Sequence, residues 1–376
     1  MRSDKNIYDR WSEKIIKDLG VDKFNKLFSY SDENIKVSPF YSNNPNSVLN
    51  PDKFIFPNNW GILGDIDCNK CTDLNEEIKK LYVNNINDII LYNYADNKLN
   101  KSTLSSGNIF IHSNKYIKIF KNLNLIIEPK LDELETLRLD DCLNKKFKIN
   151  ISSEFFKNSG ANIIQEIAFT VSVATDLLNK YGINLVDKIS FEVVQGNNYF
   201  FEIAKIQVLR IIWSLISNEY GKQIDDCIIT AKPFIKNKTI KNYNNNIIRS
   251  TSECMSGILG GCNYIKSLAY DIKFKNGNDF SERIKYNQLL ILKYETHIDK
   301  VNNAVSGSYY FSYLIENLAQ RSLDLFKKIM SNGGYLESLK DGGLFNEILS
   351  NSKKVKEQYK SGKKILVGFN KYINES

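Results

Sequence analysis

The chain has 376 residues, 42% of them hydrophobic and 25% charged, which is the balance of a soluble globular protein. No apolar run approaches the roughly 18 to 20 residues of a membrane span, and the polar start MRSDKNIYDRWSEKIIKDLG shows no secretory signal. The 51 Lys and Arg against 43 Asp and Glu give a net charge of +8, but the lysines are scattered and form no basic stripe. We therefore expect a cytoplasmic protein that binds neither nucleic acid nor membranes.

Residues 1–58 are predicted to form an N-terminal arm. A charged helix, DRWSEKIIKDLG, is closed by Gly20, and a later segment is rich in Asn, Ser and Pro with isolated aromatic residues. That composition is typical of an extended segment lying on another surface. We expect the arm to contact a partner subunit.

From residue 60 onward, short apolar runs alternate with segments of helical periodicity. The runs predict strands at 60–66, 88–93, 108–113, 124–129, 147–152, 188–194, 226–232 and 266–272. Eight such units favour a closed (β/α)8 barrel over an open doubly wound sheet, although periodicity alone leaves both open. The helix after the sixth strand is apolar around most of its circumference, and its Glu202 and Lys205 predict a local ion pair worth roughly a few tenths of a kcal/mol.

Three helical segments follow the eighth strand, at 279–297, 308–334 and 335–362. We expect the barrel domain to occupy residues 59–332 and a C-terminal helical extension to occupy residues 333–376.

Cysteines and histidines predict no metal centre. Cys68 and Cys71 form a lone CxxC without a second pair, and the only histidines are His112 and His297. A tetrahedral zinc site needs four ligands. The cysteines are therefore interpreted as reduced thiols of a cytosolic protein.

Several blocks together resemble the methylmalonyl-CoA mutase family, in particular the small subunit of its heterodimeric bacterial members. They are SGANIIQEIAFT, NNYFFEIAKIQVLRIIW, IIRSTSECMSGILGGCNYIKSLAYD, DFSERIKYNQLLILKYETHIDKVNNAVSGSYYFSYLIENLA and ILVGFNKYINES. Their order and spacing also fit, and the similarity covers essentially the whole chain. The resemblance implies a (β/α)8 barrel and an adenosylcobalamin-dependent isomerase that interconverts succinyl-CoA and methylmalonyl-CoA.

The resemblance also implies that the histidine of the active site has been replaced. Active chains carry Ser-Gly-Tyr-His at the end of the strand before the turn at Gly160, where this chain has Ser152, Ser153, Glu154 and Phe155. Phenylalanine can neither donate a hydrogen bond nor transfer a proton. On this resemblance Phe155 is expected to be an aromatic filler.

Two further family segments are altered. Active chains have a tyrosine after Arg-Pro-Trp-Thr-Ile-Arg-Gln; the equivalent NNWGILGD places Asp65 there and lacks both arginines. A glutamine-rich stretch is replaced at Lys293 and Tyr294. The resemblance therefore implies no catalytic residue on this chain, with Asp65, Glu154, Phe155, Lys293 and Tyr294 as degenerate positions.

In active chains of the family, a C-terminal flavodoxin-like domain binds cobalamin through an Asp-x-His-x-x-Gly loop. Neither His112 nor His297 lies in that context, and the sequence ends at Ser376, where the family's barrel domain ends. We therefore expect no cofactor on this chain and adenosylcobalamin on a large partner subunit.

The leading hypothesis is a non-catalytic small subunit in a heterodimer with a mutase large subunit. A second is an active acyl-CoA mutase barrel that uses a separately encoded cobalamin-binding protein. A third is a degenerate barrel that acts only as an interaction protein.

Overall fold

The computed structural model of the protein describes residues 5–42, 57, 59–94, 108–113, 124–128, 147–224, 227–274 and 278–373. Its elements are α1 (Lys5–Leu19), α2 (Val21–Asn25), β1 (Ser29–Tyr30), β2 (Lys36–Val37), β3 (Gly61–Asp67), α3 (Leu74–Val83), β4 (Asp88–Tyr92), β5 (Ile109–Ser113), β6 (Asn124–Ile127), β7 (Phe147–Ser152), α4 (Glu154–Ser159), α5 (Ile163–Tyr181), β8 (Ile189–Gln195), α6 (Tyr199–Glu219), β9 (Ile228–Pro233), α7 (Asn245–Leu259), β10 (Tyr264–Ile265), α8 (Asp279–Tyr294), α9 (Tyr309–Ser331), α10 (Tyr335–Lys340) and α11 (Gly343–Lys360). Within these ranges no helix is long and apolar enough to cross a membrane.

Eight parallel strands close into a barrel in the order β10-β3-β4-β5-β6-β7-β8-β9, which confirms the predicted (β/α)8 architecture. Alternate residues of each strand point to opposite faces. On β8, Phe191 points outward and packs against Trp213 of α6 with ring centroids 5.3 Å apart. The neighbouring Ser190 and Glu192 therefore point into the lumen. Barrel interiors are usually filled by branched apolar side chains, so polar side chains here distinguish this lumen.

The eighth strand was predicted at the wrong place. Residues 266–272 do not form it; β10 is only Tyr264–Ile265, and it pairs with two residues of β3. Farther along β3, the N–H of Asp65 donates to the hydroxyl of Tyr286 on α8, at 3.3 Å, instead of to a strand carbonyl. The chain therefore leaves the sheet after Ile265, although the following segment KSLAYDI is still rich in apolar residues.

Helices α5 and α6 are the most deeply buried part of the outer layer. Asn162 and Gln165 form a capping box at the start of α5, and Gly182 follows its end with φ +85°. Because α9 packs over both α5 and α6, α6 is buried around most of its surface, as its composition predicts.

The arm packs partly against its own barrel. Ile35, between β1 and β2, is fully buried. Tyr313 of α9 donates to the carbonyl of Lys36 at 2.9 Å, and Arg321 donates to that of Glu33 at 2.9 Å. Residues 29–37 are therefore anchored on the same chain, whereas a contact of the arm with a partner stays a prediction.

The C-terminal part contains one more helix than predicted. The segment 335–362 forms α10 and α11, separated at Gly342, which has φ +71°. A positive φ favours glycine and interrupts the helix at that residue.

Candidate functional site

A layer of polar side chains fills the lumen at the C-terminal ends of the strands. Glu192 of β8 is paired with Lys232 of β9 at 2.5 Å and with Lys266, directly after β10, at 2.6 Å. Lys266 also donates to the hydroxyl of Tyr92, at the end of β4, at 2.9 Å. Ser152 of β7 donates to Glu192 at 3.0 Å. We call these five residues the lumen network.

The lumen network crosses the barrel. Tyr92 and Glu192 lie on β4 and β8, which are opposite each other in the ring of eight strands, and the ammonium group of Lys266 joins them. Burial alone would raise the pKa of Glu192, but the two ammonium groups hold it well below its usual range. In the same way, Glu192 raises the pKa values of Lys232 and Lys266 despite their burial. The network is therefore ionised at neutral pH.

A second contact spans the lumen nearer the N-terminal ends of the strands. The ring of Tyr264 on β10 meets the ring of Phe110 on β5 edge to face, with centroids 5.7 Å apart. A Cβ at Gly61 would lie 2.7 Å from the Tyr264 ring, so glycine at this position leaves the ring its space. Side chains thus meet inside the barrel at two levels.

A smaller polar group lies beside the lumen network. His112 of β5 is 3.2 Å from Glu128, which follows β6, and Asn150 of β7 donates to the same carboxylate oxygen at 3.0 Å. The ring of Tyr92 lies 4.7 Å from that of His112. The polar lining therefore continues around the barrel from β4 to β7.

Two of the sequence-predicted positions, Glu154 and Asp65, carry paired carboxylates at the C-terminal end of the barrel. Glu154 accepts from Lys232 at 2.7 Å and is 40% exposed. Asp65 is paired at 3.0 Å with Lys285 of α8, which is almost completely buried. Lys232 therefore links Glu154 to the lumen network, whereas Asp65 is tied to the outer helix.

The interpretation of Phe155 as an aromatic filler needs correction. Its ring is 46% exposed on α4, at the rim of the barrel. The filler is Phe156, which is 1% exposed and packs edge to face against Phe169 and Tyr335 at 5.4 and 5.6 Å. Helix formation directly after Ser153 turns Phe156 inward and Phe155 outward, which a strand-based alignment does not show.

Lys293 and Tyr294 lie away from the other predicted positions. Helix α8 starts beyond the C-terminal end of β10 and runs back along the barrel, so its last turn reaches the N-terminal ends of the strands. There Lys293 donates to the carbonyl of Trp60, the residue before β3, at 2.8 Å, and Tyr294 is 58% exposed. The structure therefore does not bring these two residues together with Asp65, Glu154 and Phe155.

Glu202 and Lys205 form more than the local ion pair predicted from their spacing. Lys205 pairs with Glu202 at 2.5 Å and with Glu166 of α5 at 3.1 Å, while Lys157 of α4 is 3.2 Å from Glu202 and 3.4 Å from Glu166. We call these four residues the outer cluster. Its side chains are 0 to 13% exposed. Burial would raise the pKa of Glu202, but the two lysines lower it.

The lumen network was not found from the sequence. A signal was present, since Glu192 and Lys232 are charged residues inside otherwise apolar parallel strands, where near-continuous hydrophobic runs are usual. Lys266 carried no such signal, because the predicted strand began at residue 266, whereas the observed strand ends at Ile265.

The two histidines lie apart and have different surroundings. The Nε2 atom of His112 is engaged by Glu128, and the exposed His297 precedes a short 3-10 turn at the N-terminal end of the barrel. In the described ranges no group of three or more His, Cys, Asp or Glu could hold a metal ion. In the CxxC, Cys71 Sγ lies 3.6 Å from the carbonyl of Cys68, and Cys142 lies outside the described residues.

Comparison with known proteins gives consistent matches. The family model described as Methylmalonyl-CoA mutase matches residues 140–376. A methylmalonyl-CoA mutase small subunit of Porphyromonas gingivalis is 32% identical over 185 residues, which are 48% of this chain and 30% of that protein. A methylmalonyl-CoA mutase of Rhizobium meliloti is 28% identical over 237 residues, 61% of this chain and 33% of that protein.

A probable methylmalonyl-CoA mutase large subunit of Mycobacterium bovis is 27% identical over 180 residues, 47% of this chain and 24% of that protein. The matched part thus spans a third or less of the length of each of these relatives.

Proposed function

Because the chain belongs to the methylmalonyl-CoA mutase family, we propose that it is a small, non-catalytic subunit of a mutase that interconverts succinyl-CoA and methylmalonyl-CoA. A large partner chain supplies the catalytic site and the adenosylcobalamin. The small subunit contributes a folded barrel to the assembly and no reacting group.

The observation that carries this proposal is the lumen network. Lys266 joins Tyr92 to Glu192 across the barrel, and Glu192 is 2% exposed. A substrate along the barrel axis would have to separate buried ion pairs and leave their charges uncompensated. Breaking such a pair typically costs about 3 to 5 kcal/mol. This cost supports a barrel that keeps its axis occupied by its own side chains.

The degenerate positions support the same conclusion. Phe155 offers no hydrogen-bond donor, and Asp65 and Glu154 are committed to lysines of this chain. Lys293 and Tyr294 lie at the other end of the barrel. His112, the described histidine of the lumen lining, is engaged by the carboxylate of Glu128.

The names of the relatives, which include both small and large mutase subunits, support such a partner. In the proposed heterodimer, residues 1–58 are the arm, residues 59–332 the barrel domain and residues 333–376 the C-terminal extension. The assembly is cytoplasmic.

The test measures mutase turnover of the purified chain with adenosylcobalamin and succinyl-CoA, alone and together with a co-expressed large subunit. We expect turnover only when the large subunit is present, and we expect the two chains to co-purify. A Phe155→His variant alone should also give no turnover, because its ring lies at the rim and the lumen network is intact.

Turnover by the chain alone would refute the proposal. Activity gained by adding only a separate cobalamin-binding protein would support the alternative of an active barrel. Absence of any complex with a large subunit would favour a pure interaction protein.

A further inference from the structure

An exposed aromatic cluster lies beside the C-terminal end of the barrel. It contains Tyr243 from the loop after β9, Tyr270 and Phe274 from the loop after β10, and Phe280 at the start of α8. Ring centroids are 5.8 Å apart for Tyr243 and Tyr270, 5.0 Å for Tyr243 and Phe274, and 6.4 Å for Tyr270 and Phe280. Three of these side chains are 36 to 60% exposed. We call these four residues the aromatic cluster.

Asp271 lies in the chain between two members of this cluster and has an unusual environment. It is 1% exposed, yet neither of its carboxylate oxygens has a hydrogen-bond partner within the part of the chain that the structure describes. Burial, followed by the carboxylate of Asp271, raises the pKa of Tyr270, so the two side chains act on each other. A buried carboxylate without a donor is costly, which indicates that its partner comes from elsewhere.

Three described cations of the neighbouring segments are engaged with other groups. Lys238 is paired with Glu253 at 2.6 Å. Lys273 donates to the carbonyl of Lys236 at 3.2 Å, and Arg249 donates to Asn246 and Thr239 at 2.9 and 3.1 Å. The described part of the chain therefore supplies a carboxylate and aromatic rings at this place, while Lys238, Lys273 and Arg249 bind other groups.

We propose that Asp271 and the aromatic cluster form a receptor for a guanidinium or ammonium group on the large subunit. This inference rests on the proposed function, because it assigns a docking site to the partner named there. A cation that binds at the aromatic cluster gains attraction from the ring faces and neutralises the nearby carboxylate of Asp271. The exposed Ile240 and Ile248, 60 and 71% exposed, add apolar contact beside it.

The first test uses the chain alone. Asp271→Asn removes an uncompensated charge, so the melting temperature should stay the same or rise by about 2 °C. The control is Asp341→Asn, which changes an exposed aspartate and should have no effect. A fall in melting temperature in Asp271→Asn alone would show that the carboxylate has a partner inside the chain, which would overturn the inference.

The second test measures the dissociation constant of the complex with the large subunit, using the full chain. Asp271→Asn should weaken binding by at least about 30-fold, because the partner's cation is left buried and unpaired. Phe280→Ala should weaken it less, and Asp341→Asn should leave it unchanged.

The two tests separate the possible failures. If the wild-type chain binds no large subunit, the proposed function fails and this inference fails with it. If the wild-type complex forms and Asp271→Asn binds equally well, only this inference is overturned.

Discussion

The lumen network and the outer cluster lie on opposite sides of strand β8 and differ in how their charges are balanced. In the outer cluster two lysines face two glutamates, and the side chains are 0 to 13% exposed. In the lumen network two lysines share one buried glutamate, and the second acceptor of Lys232 is Glu154, which is 40% exposed. The outer cluster is closed, whereas the lumen network reaches solvent at the rim.

This difference indicates different roles: the outer cluster stabilises the fold, whereas the lumen network acts inside the barrel. The outer cluster joins α4, α5 and α6 on the side that packs against the barrel wall, so it is part of the scaffold. The lumen network occupies the axis along which a substrate would pass. The lumen network can therefore affect whether the barrel binds a substrate. The outer cluster, which lies between the helices and the barrel wall, cannot.

The largest effect is expected from Lys205→Met. The substitution leaves Glu166 and Glu202 with a single cation, Lys157, in a site that excludes water. The free energy of unfolding should fall by about 3 to 5 kcal/mol. Denaturant unfolding measures it, with Lys328→Met on α9, where the lysine is 67% exposed, as the matched control. A loss below about 1 kcal/mol would show that water reaches the outer cluster and compensates the unpaired carboxylate.

Glu192→Gln should have a smaller effect. Lys266 keeps its hydrogen bond to Tyr92 and Lys232 keeps Glu154, so the charges left behind are partly compensated. We expect a loss of about 2 to 3 kcal/mol in the free energy of unfolding. Glu337→Gln, at a 56% exposed position, serves as control. A loss equal to that of Lys205→Met would remove the contrast between the two networks.

The dependence of stability on acidic pH should show the contribution of the Glu192 carboxylate. The pKa of Glu192 is lowered in the folded chain, so its contribution to stability is complete above about pH 4.3, the ordinary glutamate value, and is lost as the pH falls further. Between pH 5 and 3 the wild-type chain should therefore lose more stability than Glu192→Gln. Parallel curves of unfolding free energy against pH would contradict the assignment.

The smallest effect is expected from Glu154→Gln. Glu154 is 40% exposed, so solvent screens its pair with Lys232, and the loss should stay below about 1 kcal/mol. Thermal melts at low and at high salt measure it. A loss as large as that of Glu192→Gln would place Glu154 among the buried members of the network.

Sequence patterns predicted the barrel because the outward faces of the strands are apolar and the helices keep a helical period. They misplaced the eighth strand because the apolar residues of KSLAYDI, after Ile265, are typical of a strand, whereas the chain leaves the sheet there. The burial of Glu202 and Lys205 could not be predicted from spacing, since their partners Lys157 and Glu166 come from other elements. Likewise, only the direction of α8 reveals that Lys293 lies far from Glu154.

The short β10 has a consequence for how the barrel opens. It meets β3 through two paired residues, whereas β8 and β9 are joined along six. Because β10 is also paired with β9 over only two residues, β10 is the seam of the ring with the fewest paired residues. Local opening of the closed sheet should begin there, and backbone amides along this seam should exchange with solvent deuterium sooner than those between β8 and β9.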